Sequence, residues 1–382
     1  MKNINEKDIR KRFKEYLDKG YPYYEKNILR DHKRVQAILD GKNPPPYEIE
    51  IQPSSSCNLK CRHCEGRSYK RLPNLMGIKE IREIAEKIND FQEDDLKIEV
   101  AKFCGTTGEP FVNSTTTIEG IKLFRELEKK IVVYTNGLYL NEGKNGEYYD
   151  ELSKIARLNL SLDAGSEEVF TRLKSRSGFN RIINNLEGII KKRSENNSRL
   201  NIVVSYVIGK ENYEDVVNAT KVIKDTGADE LSFRVDFTDL EGIRDISDKI
   251  ISELEKAKQY SNNGFKVISA YPKEAINGDD SAFHSYSKKC FTSALWASIG
   301  PDCELYACGH RTHGDVKSYG SLLENSFEKL WNSKERLESV ENLPGEYCTI
   351  CSPFSSRAND FVTFLSELPK YPLISLLDMN PA

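Results

Sequence analysis

The first candidates for chemistry are three cysteines near the N-terminus, Cys57, Cys61 and Cys64, spaced as C-x3-C-x2-C. Three thiolates on one short loop can hold three irons of a [4Fe–4S] cluster and leave the fourth iron open to a non-protein ligand. A structural zinc site normally closes with a fourth Cys or His at short range. His63 directly precedes Cys64 and is badly placed to turn back to the same metal. The loop therefore predicts an open iron–sulfur cluster that binds a small chelating cofactor, with merely buried cysteines as the alternative.

Four cysteines in the last third of the chain form a second group. They are Cys290, Cys308, Cys348 and Cys351. The last two form a C-x2-C chelating pair, and the two upstream cysteines complete a tetrahedral set. Four thiolates suit zinc as well as an iron–sulfur cluster, and the spacing alone leaves both open. His310 and His313 lie between these cysteines, and we interpret them as solvated loop residues.

A glycine-rich turn is the next candidate, and it runs from Cys104 through Gly108 and Glu109 to Pro110. It brings bare backbone and one carboxylate close to a ligand, which suits an ammonium group, although Gly-Glu-Pro is also an ordinary turn.

Other polar residues stand at the ends of apolar runs. They are Thr135, Asn136, Ser161 and Asp163. Turn chemistry and helix capping are their alternative roles, because Ser, Asp and Asn dominate both. Arg234 alternates with Phe233 and Val235, and the sequence leaves open whether it binds a carboxylate or pairs with a neighbouring acid.

Six apolar runs must position these residues. They are Tyr47–Gln52, Lys97–Phe103, Ile131–Tyr134, Leu158–Leu162, Asn201–Ile208 and Glu230–Val235. Helical patterns such as 78–88 and 216–223 lie between them, and the second stops at Gly227. Strands alternating with helices predict an α/β fold with a parallel sheet, closed as a partial (β/α)6 TIM-like barrel. Function in such folds lies at the carboxyl ends of the strands.

Composition limits the class of protein. The chain has 382 residues, of which 30% are charged, with a formal net charge of −3. The balance of charge argues against nucleic acid or an anionic membrane surface as the main partner. Because no apolar run is long enough to span a membrane and the start lacks a signal-peptide core, we expect a cytoplasmic protein. Its nine cysteines are then ligands or reactive thiols rather than disulfides.

The cysteine loop after the first run, followed by Gly108-Glu109-Pro110 after the second, resembles the signature of the radical S-adenosylmethionine (radical SAM) superfamily. The resemblance implies that SAM binds the open iron and that this turn contacts its amino group. It further implies that the later strand ends contact SAM. The residues concerned are Thr135, Asn136, Ser161 and Asp163, with the backbone of Val207 at the adenine.

The spacing of the second cysteine group resembles the twitch domain, a shortened SPASM domain that carries an auxiliary [4Fe–4S] cluster. With the amphipathic pattern over residues 5–40, the expected organisation has four parts. They are an N-terminal helical extension (1–46), a radical SAM partial barrel (47–275), a twitch or SPASM-like domain (276–360) and a C-terminal tail (361–382).

The reaction implied by this resemblance is reductive cleavage of SAM and abstraction of hydrogen from a substrate carbon, with flavodoxin or ferredoxin as electron donor. Electron loss to the auxiliary cluster gives net oxidation, the favoured outcome. Hydrogen return from Cys303 or Cys104 gives epimerisation, and Arg234 is the other candidate catalytic residue. We expect a small polar metabolite of carbohydrate, aminocyclitol or nucleotide type. The alternatives are a peptide-modifying enzyme and a non-catalytic iron–sulfur or zinc scaffold, although a scaffold does not need the Gly-Glu-Pro turn.

Overall fold

The computed structural model describes residues 11, 14, 28–72, 75–140, 146–270, 273–285, 287, 289–343, 348 and 351–367. Its strands are β1 (Glu48–Ile51), β2 (Gln92–Glu93), β3 (Leu96–Lys97), β4 (Val100–Phe103), β5 (Lys130–Thr135), β6 (Arg157–Ser161), β7 (Asn201–Ile208), β8 (Glu230–Val235), β9 (Lys266–Ser269), β10 (Trp296–Ile299) and β11 (Leu305–Tyr306). Nine of them form one sheet in the order β11-β10-β1-β4-β5-β6-β7-β8-β9. All neighbours are parallel except β10 and β11.

The six predicted strands are confirmed as neighbours in this parallel sheet. The second of them starts later than expected, at Val100, because Leu96–Lys97 pairs instead with Gln92–Glu93 in a separate antiparallel hairpin. Strands β9, β10 and β11 were not predicted, since their short runs stand outside the regular alternation of strand and helix.

Helices cover the sheet. They are α1 (His32–Leu39), α2 (Ile78–Asp90), α3 (Ser114–Glu126), α4 (Glu147–Ser153), α5 (Glu167–Lys174), α6 (Phe179–Glu195), α7 (Val216–Thr226), α8 (Leu240–Asp245), α9 (Ser247–Lys258), α10 (Lys273–Ile276), α11 (Thr292–Leu295), α12 (Phe327–Trp331), α13 (Lys334–Glu341) and α14 (Pro353–Ser366). In α2 the apolar residues at helical spacing, Ile81, Ile84, Ala85 and Ile88, are all buried. Helix α7 ends at Gly227, whose φ of 89° is the left-handed conformation that glycine adopts readily.

The region after the barrel strands joins the same sheet. Strand β10 pairs with β1 in parallel register, with Glu48 opposite Trp296 and Ile51 opposite Ile299. The carboxyl end of β10 therefore lies at the same edge as those of the barrel strands. The predicted boundary at residue 275 consequently does not separate two sheets.

The two ends of the described chain pack together in a second apolar cluster. Helix α1 contributes Val35 and Ile38, and helix α14 contributes Phe361 and Phe364. The boundary predicted at residue 360 falls inside α14, which continues to Ser366. Of the helical extension predicted at the N-terminus, helix α1 is confirmed. The apolar positions on which the rest of that pattern depends, Ile9, Phe13, Tyr16 and Leu17, lie outside the described residues. No helix within the described ranges is long and apolar enough to cross a membrane.

Candidate functional site

A cavity of about 940 Å³ lies at the carboxyl ends of the barrel strands. Both cysteine groups contribute to its lining. The lining cysteines are Cys57, Cys61, Cys64, Cys104, Cys290, Cys308, Cys348 and Cys351. The turn Gly108-Glu109-Pro110 lines it too, as do Thr135, Asn136 and Ser161. Two groups of cysteines more than 200 positions apart in the chain thus meet at one space.

The first cysteine loop is fastened to the end of helix α5. The Lys60 N–H donates to the Lys174 carbonyl at 3.3 Å, and the Arg62 N–H donates to the Leu173 carbonyl at 3.1 Å. These two bonds fix the backbone between Cys57 and Cys64, so the loop presents its thiols in one arrangement.

The thiols of this loop are half-buried. The pKa of Cys57 is raised to about 11. Burial is the main cause, and the negative charges of Glu109, Cys61 and Cys64 contribute to the same shift. Burial and Cys61 likewise raise the pKa of Cys64. Thiolates crowded in this way need a positive charge between them, which the irons of a cluster supply. The donor set therefore fits an iron–sulfur cluster.

Glu109 is buried and accepts three hydrogen bonds. The donors are Thr135 Oγ1 at 2.6 Å, the Asn136 N–H at 2.8 Å and the Phe111 N–H at 3.0 Å. Burial nevertheless raises the pKa of Glu109 to about 7, because the three donors offset only part of the lost hydration. A buried carboxylate beside an open cavity, with no cation among its hydrogen-bond donors, is well suited to a cationic ligand. Thr135 and Asn136 thus hold this carboxylate as well as lining the cavity.

Asp163 has a different place from the one expected. It does not belong to the cavity lining. Its Oδ1 accepts the Val207 N–H at 2.7 Å, and its Oδ2 contacts His63 Nε2 at 3.0 Å and Lys174 Nζ. Burial opposes the ionised form, but Lys174 and His63 outweigh it and lower the pKa of Asp163. Contact of Asp163 and Val207 with SAM stays a prediction; the structure gives them a role in fixing the cysteine loop.

Lys174 and His63 were missed as site residues. The Lys174 side chain is 2% exposed, and both residues line the cavity. The pKa of Lys174 is raised, since Asp163 and Cys61 outweigh its burial. A lysine in the last turn of an amphipathic helix ordinarily faces solvent, so no sequence signal distinguished it.

The second cysteine group is held between α11, β11 and α14. Cys290 Sγ lies 3.2 Å from Thr292 Oγ1 and accepts from Asn359 Nδ2 at 3.7 Å. Burial, then Cys290 and Cys348, raises the pKa of Cys351 to about 12. The four thiols influence one another electrostatically and share the lining of one cavity. Four thiols around one part of the cavity are a donor set that fits an iron–sulfur cluster. Within the described ranges, no three His, Cys, Asp or Glu residues form a group that could hold a single metal ion.

The interpretation of His310 and His313 as solvated is wrong for His313, which is 2% exposed and stacks on Tyr69 with ring centroids 4.0 Å apart. His310 Nδ1 lies 3.0 Å from Glu65 Oε2. Both contacts tie the second cysteine region to the segment after the first cysteine loop.

Cys104 and Cys303, the two cysteines outside both cysteine groups, differ in position. Cys104 is buried and lines the cavity, where burial and Glu50 raise its pKa. Cys303 is absent from the lining; it lies in the β10–β11 turn, in the main apolar cluster, at a φ of 65°. Burial, then Glu80, raises its pKa to about 12, and Glu80 belongs to the outer helix α2. The position of Cys303 does not support a hydrogen-donor role, which stays a prediction for Cys104.

Arg234 lines the cavity as expected. Its guanidinium carbon lies 5.3 Å from the centroid of the Phe354 ring, and its Nε is buried without a hydrogen-bond partner among the described residues. The alternative was pairing with a neighbouring acid. No described carboxylate lies within ion-pair distance of Arg234; Glu230 lies 3.6 Å from Arg157 and interacts with Arg234 only through longer-range attraction.

Comparison with known proteins identifies this arrangement. Residues 51–223, which include the first cysteine loop and the Gly-Glu-Pro turn, match the model of the radical SAM superfamily. The chain therefore contains a radical SAM domain. This family implies SAM and a [4Fe–4S] cluster as cofactors.

The similar proteins carry two different kinds of name. A probable GTP 3′,8-cyclase of Saccharolobus islandicus is 22% identical over 249 residues, covering 63% of this radical SAM chain and 75% of the relative. The GTP 3′,8-cyclase of Synechocystis sp. is 25% identical over 191 residues, covering 49% and 54%. Among solved structures, Streptococcus suis SuiB bound to S-adenosylmethionine matches with a TM-score of 0.58 at 16% identity, covering 85% and 76%. The structure of anSMEcpe with bound AdoMet matches with a TM-score of 0.55 at 14% identity, covering 87% and 99%. At these identities the structural matches establish the fold.

Proposed function

We propose that this radical SAM enzyme removes hydrogen from a carbon of a small polar metabolite and, with a second [4Fe–4S] cluster as electron acceptor, oxidises it. The single observation that supports this proposal is the shared cavity. The first cysteine loop, the Gly-Glu-Pro turn, Thr135, Asn136 and Ser161 line one part of it, and the second cysteine group lines another. A substrate bound between the two cysteine groups is within reach of both.

Bound together, SAM and the first cluster supply a radical that takes a hydrogen atom from a C–H bond. The protein residues bind and orient. The thiols of Cys57, Cys61 and Cys64 would hold three irons. Glu109 would accept hydrogen bonds from the SAM ammonium, while Thr135 and Asn136 hold the Glu109 carboxylate in place. The second group, Cys290, Cys308, Cys348 and Cys351, would hold the auxiliary cluster.

The oxidation removes two electrons from the substrate carbon. One leaves with the hydrogen atom that is abstracted, and the second, released together with a proton, would pass to the auxiliary cluster. The cytoplasmic electron donor we propose for the first cluster is flavodoxin or ferredoxin. Nucleotides belong to the candidate substrates because two of the similar proteins are named GTP 3′,8-cyclases. Epimerisation is the second candidate outcome, favoured by the buried Cys104 thiol in the cavity wall. Peptide modification is a third, since one matching structure is SuiB bound to its precursor peptide.

Iron analysis tests the proposal. Anaerobically reconstituted protein should hold about eight irons as two [4Fe–4S] clusters. Replacing Cys57, Cys61 and Cys64 together with Ala should remove about half of the iron and all SAM cleavage. The matched control is Cys303→Ala, which removes a buried thiol outside the cavity and should keep both. About four irons together with bound zinc in the wild type would overturn the auxiliary cluster.

A further inference from the structure

We propose that Arg234 binds a carboxylate or phosphate of the substrate, so that the substrate of this enzyme is a small anionic metabolite. The inference deepens the proposed function and rests on it for the reaction. It concerns the part of the cavity between strand β8 and helix α14, which belongs neither to the expected SAM contacts nor to the cysteine ligands.

The argument begins with the missing partner of Arg234. Its side chain is half-buried and lines the cavity, and its Nε is buried without a hydrogen-bond acceptor in the described part of the chain. No described carboxylate lies within ion-pair distance of its guanidinium; the contact present is the face of the Phe354 ring at 5.3 Å. A guanidinium taken out of water without an acceptor is costly, so such a group indicates a ligand that supplies one.

Two fully buried arginines, Arg34 and Arg336, have protein acceptors instead. Arg34 donates to Asp31, to the Pro45 carbonyl and, at 3.0 Å, to the Lys97 carbonyl. Arg336 donates to the Ser293 carbonyl at 2.9 Å, to the Trp331 carbonyl at 2.9 Å and to Asn43 at 3.1 Å. In both of these arginines, the guanidinium donates its hydrogen bonds to acceptors of the protein itself. Arg234 is the contrasting case: it lines the cavity, and its Nε has no acceptor among the described residues.

The ligand class follows from the shape of the guanidinium and its surroundings. Its planar fork matches the paired oxygens of a carboxylate or phosphate. Phe237 and Phe283, with ring centroids 5.8 Å apart, line the same cavity as Arg234 and Phe354. Low polarity around a cation strengthens its attraction for an anion.

The cavity wall on β1 and β4 adds a second requirement. Lys102 Nζ lies 2.8 Å from Glu50 and 3.8 Å from Glu48, so one lysine is shared by two carboxylates. All three residues line the cavity. Two carboxylates beside one lysine leave this wall with an excess of negative groups, which suits hydroxyl or ammonium donors of a ligand. The substrate class is therefore an anion that also carries hydroxyl or amino groups.

The test uses simple aromatic anions and their neutral analogues as probes, because the apolar surroundings of Arg234 are aromatic. Reconstituted wild type, Arg234→Met and Arg234→Lys are titrated with phenyl phosphate, benzoate and neutral benzyl alcohol by anaerobic calorimetry. We expect the wild type to bind at least one of the anions roughly tenfold or more tighter than benzyl alcohol. Arg234→Met should lose this preference and Arg234→Lys should keep part of it. The stronger of the two anions distinguishes a phosphate from a carboxylate substrate.

The matched control is Arg71→Met, which removes an exposed arginine from the lining of the same cavity and should keep the preference. Equal binding of anions and benzyl alcohol by the wild type, or a preference that survives in Arg234→Met, would overturn the inference. If the methionine variant fails to fold, Arg234→Gln, which also removes the charge but keeps a polar side chain, gives the same comparison. Reductive SAM cleavage by the wild type is measured separately. Anion preference without cleavage overturns the proposed function alone, and cleavage without anion preference overturns this inference alone.

Discussion

Replacing Lys174 with methionine should destabilise the barrel and loosen the first cysteine loop. The Lys174 and Asp163 side chains are each 2% exposed and form an ion pair, and His63 Nε2 lies 3.5 Å from the same ammonium. The methionine keeps the length of the apolar stem but removes the charge. Asp163 is then left buried with two of its three side-chain partners, the Val207 N–H and His63.

The magnitude follows from the loss of one partner of a buried pair. Such a loss typically costs about 3–5 kcal/mol. Because two hydrogen bonds to Asp163 remain, we expect the lower end, about 3 kcal/mol. For a domain of about 150–250 residues, this lowers Tm by about 6–12 °C. Lys154→Met is the control: its partners Asp150 and Glu151 lie nearer the surface, so the loss should stay below about 1 kcal/mol.

The assay is thermal unfolding of reconstituted protein under anaerobic conditions, with iron content measured on the same samples. Lys174→Met should also lose iron, because the backbone of the loop is bonded to residues 173 and 174. Adding Asp163→Asn removes the orphaned charge, so the double variant should be more stable than the sum of the single losses by about 1–3 kcal/mol. Additive losses, or a loss no larger than that of Lys154→Met, would refute the reasoning.

Two further predictions concern the cavity. Since the pKa of Glu109 is raised to about 7, the free carboxyl gains a proton below that pH and must lose it to bind an ammonium, so SAM affinity should fall up to about tenfold per pH unit below about 7. Glu109→Gln should bind SAM weakly without this dependence; equal wild-type affinity at about pH 6 and about pH 8, measured by equilibrium binding, would contradict the role. For the outcome of the reaction, turnover in D2O should give a product two hydrogens lighter without solvent deuterium. If deuterium appears at a former C–H position, epimerisation is indicated, and Cys104→Ala should abolish it whereas Cys303→Ala should not.

Much of this protein could be predicted from local patterns. The alternation of β-type runs with helical spacing determined six parallel strands, since each pattern is decided by neighbours a few residues apart. The cysteine loop was readable for the same reason: chelation needs close spacing in the chain. The short strand Trp296–Ile299 was not predicted, because its place beside Glu48–Ile51 is decided by pairing with a strand about 250 residues away.

The contacts of each side chain were decided only by the tertiary structure. Asp163 has the strand-end position of a cofactor contact, but it meets Lys174 and His63, brought to it by a helix and a loop. Cys303 and Cys104 are both spare cysteines in sequence, and only packing separates the thiol in the core from the thiol in the cavity wall. A residue's type fixes which bonds it can form. Which bonds it does form depends on groups distant in sequence that the fold brings within a few ångströms.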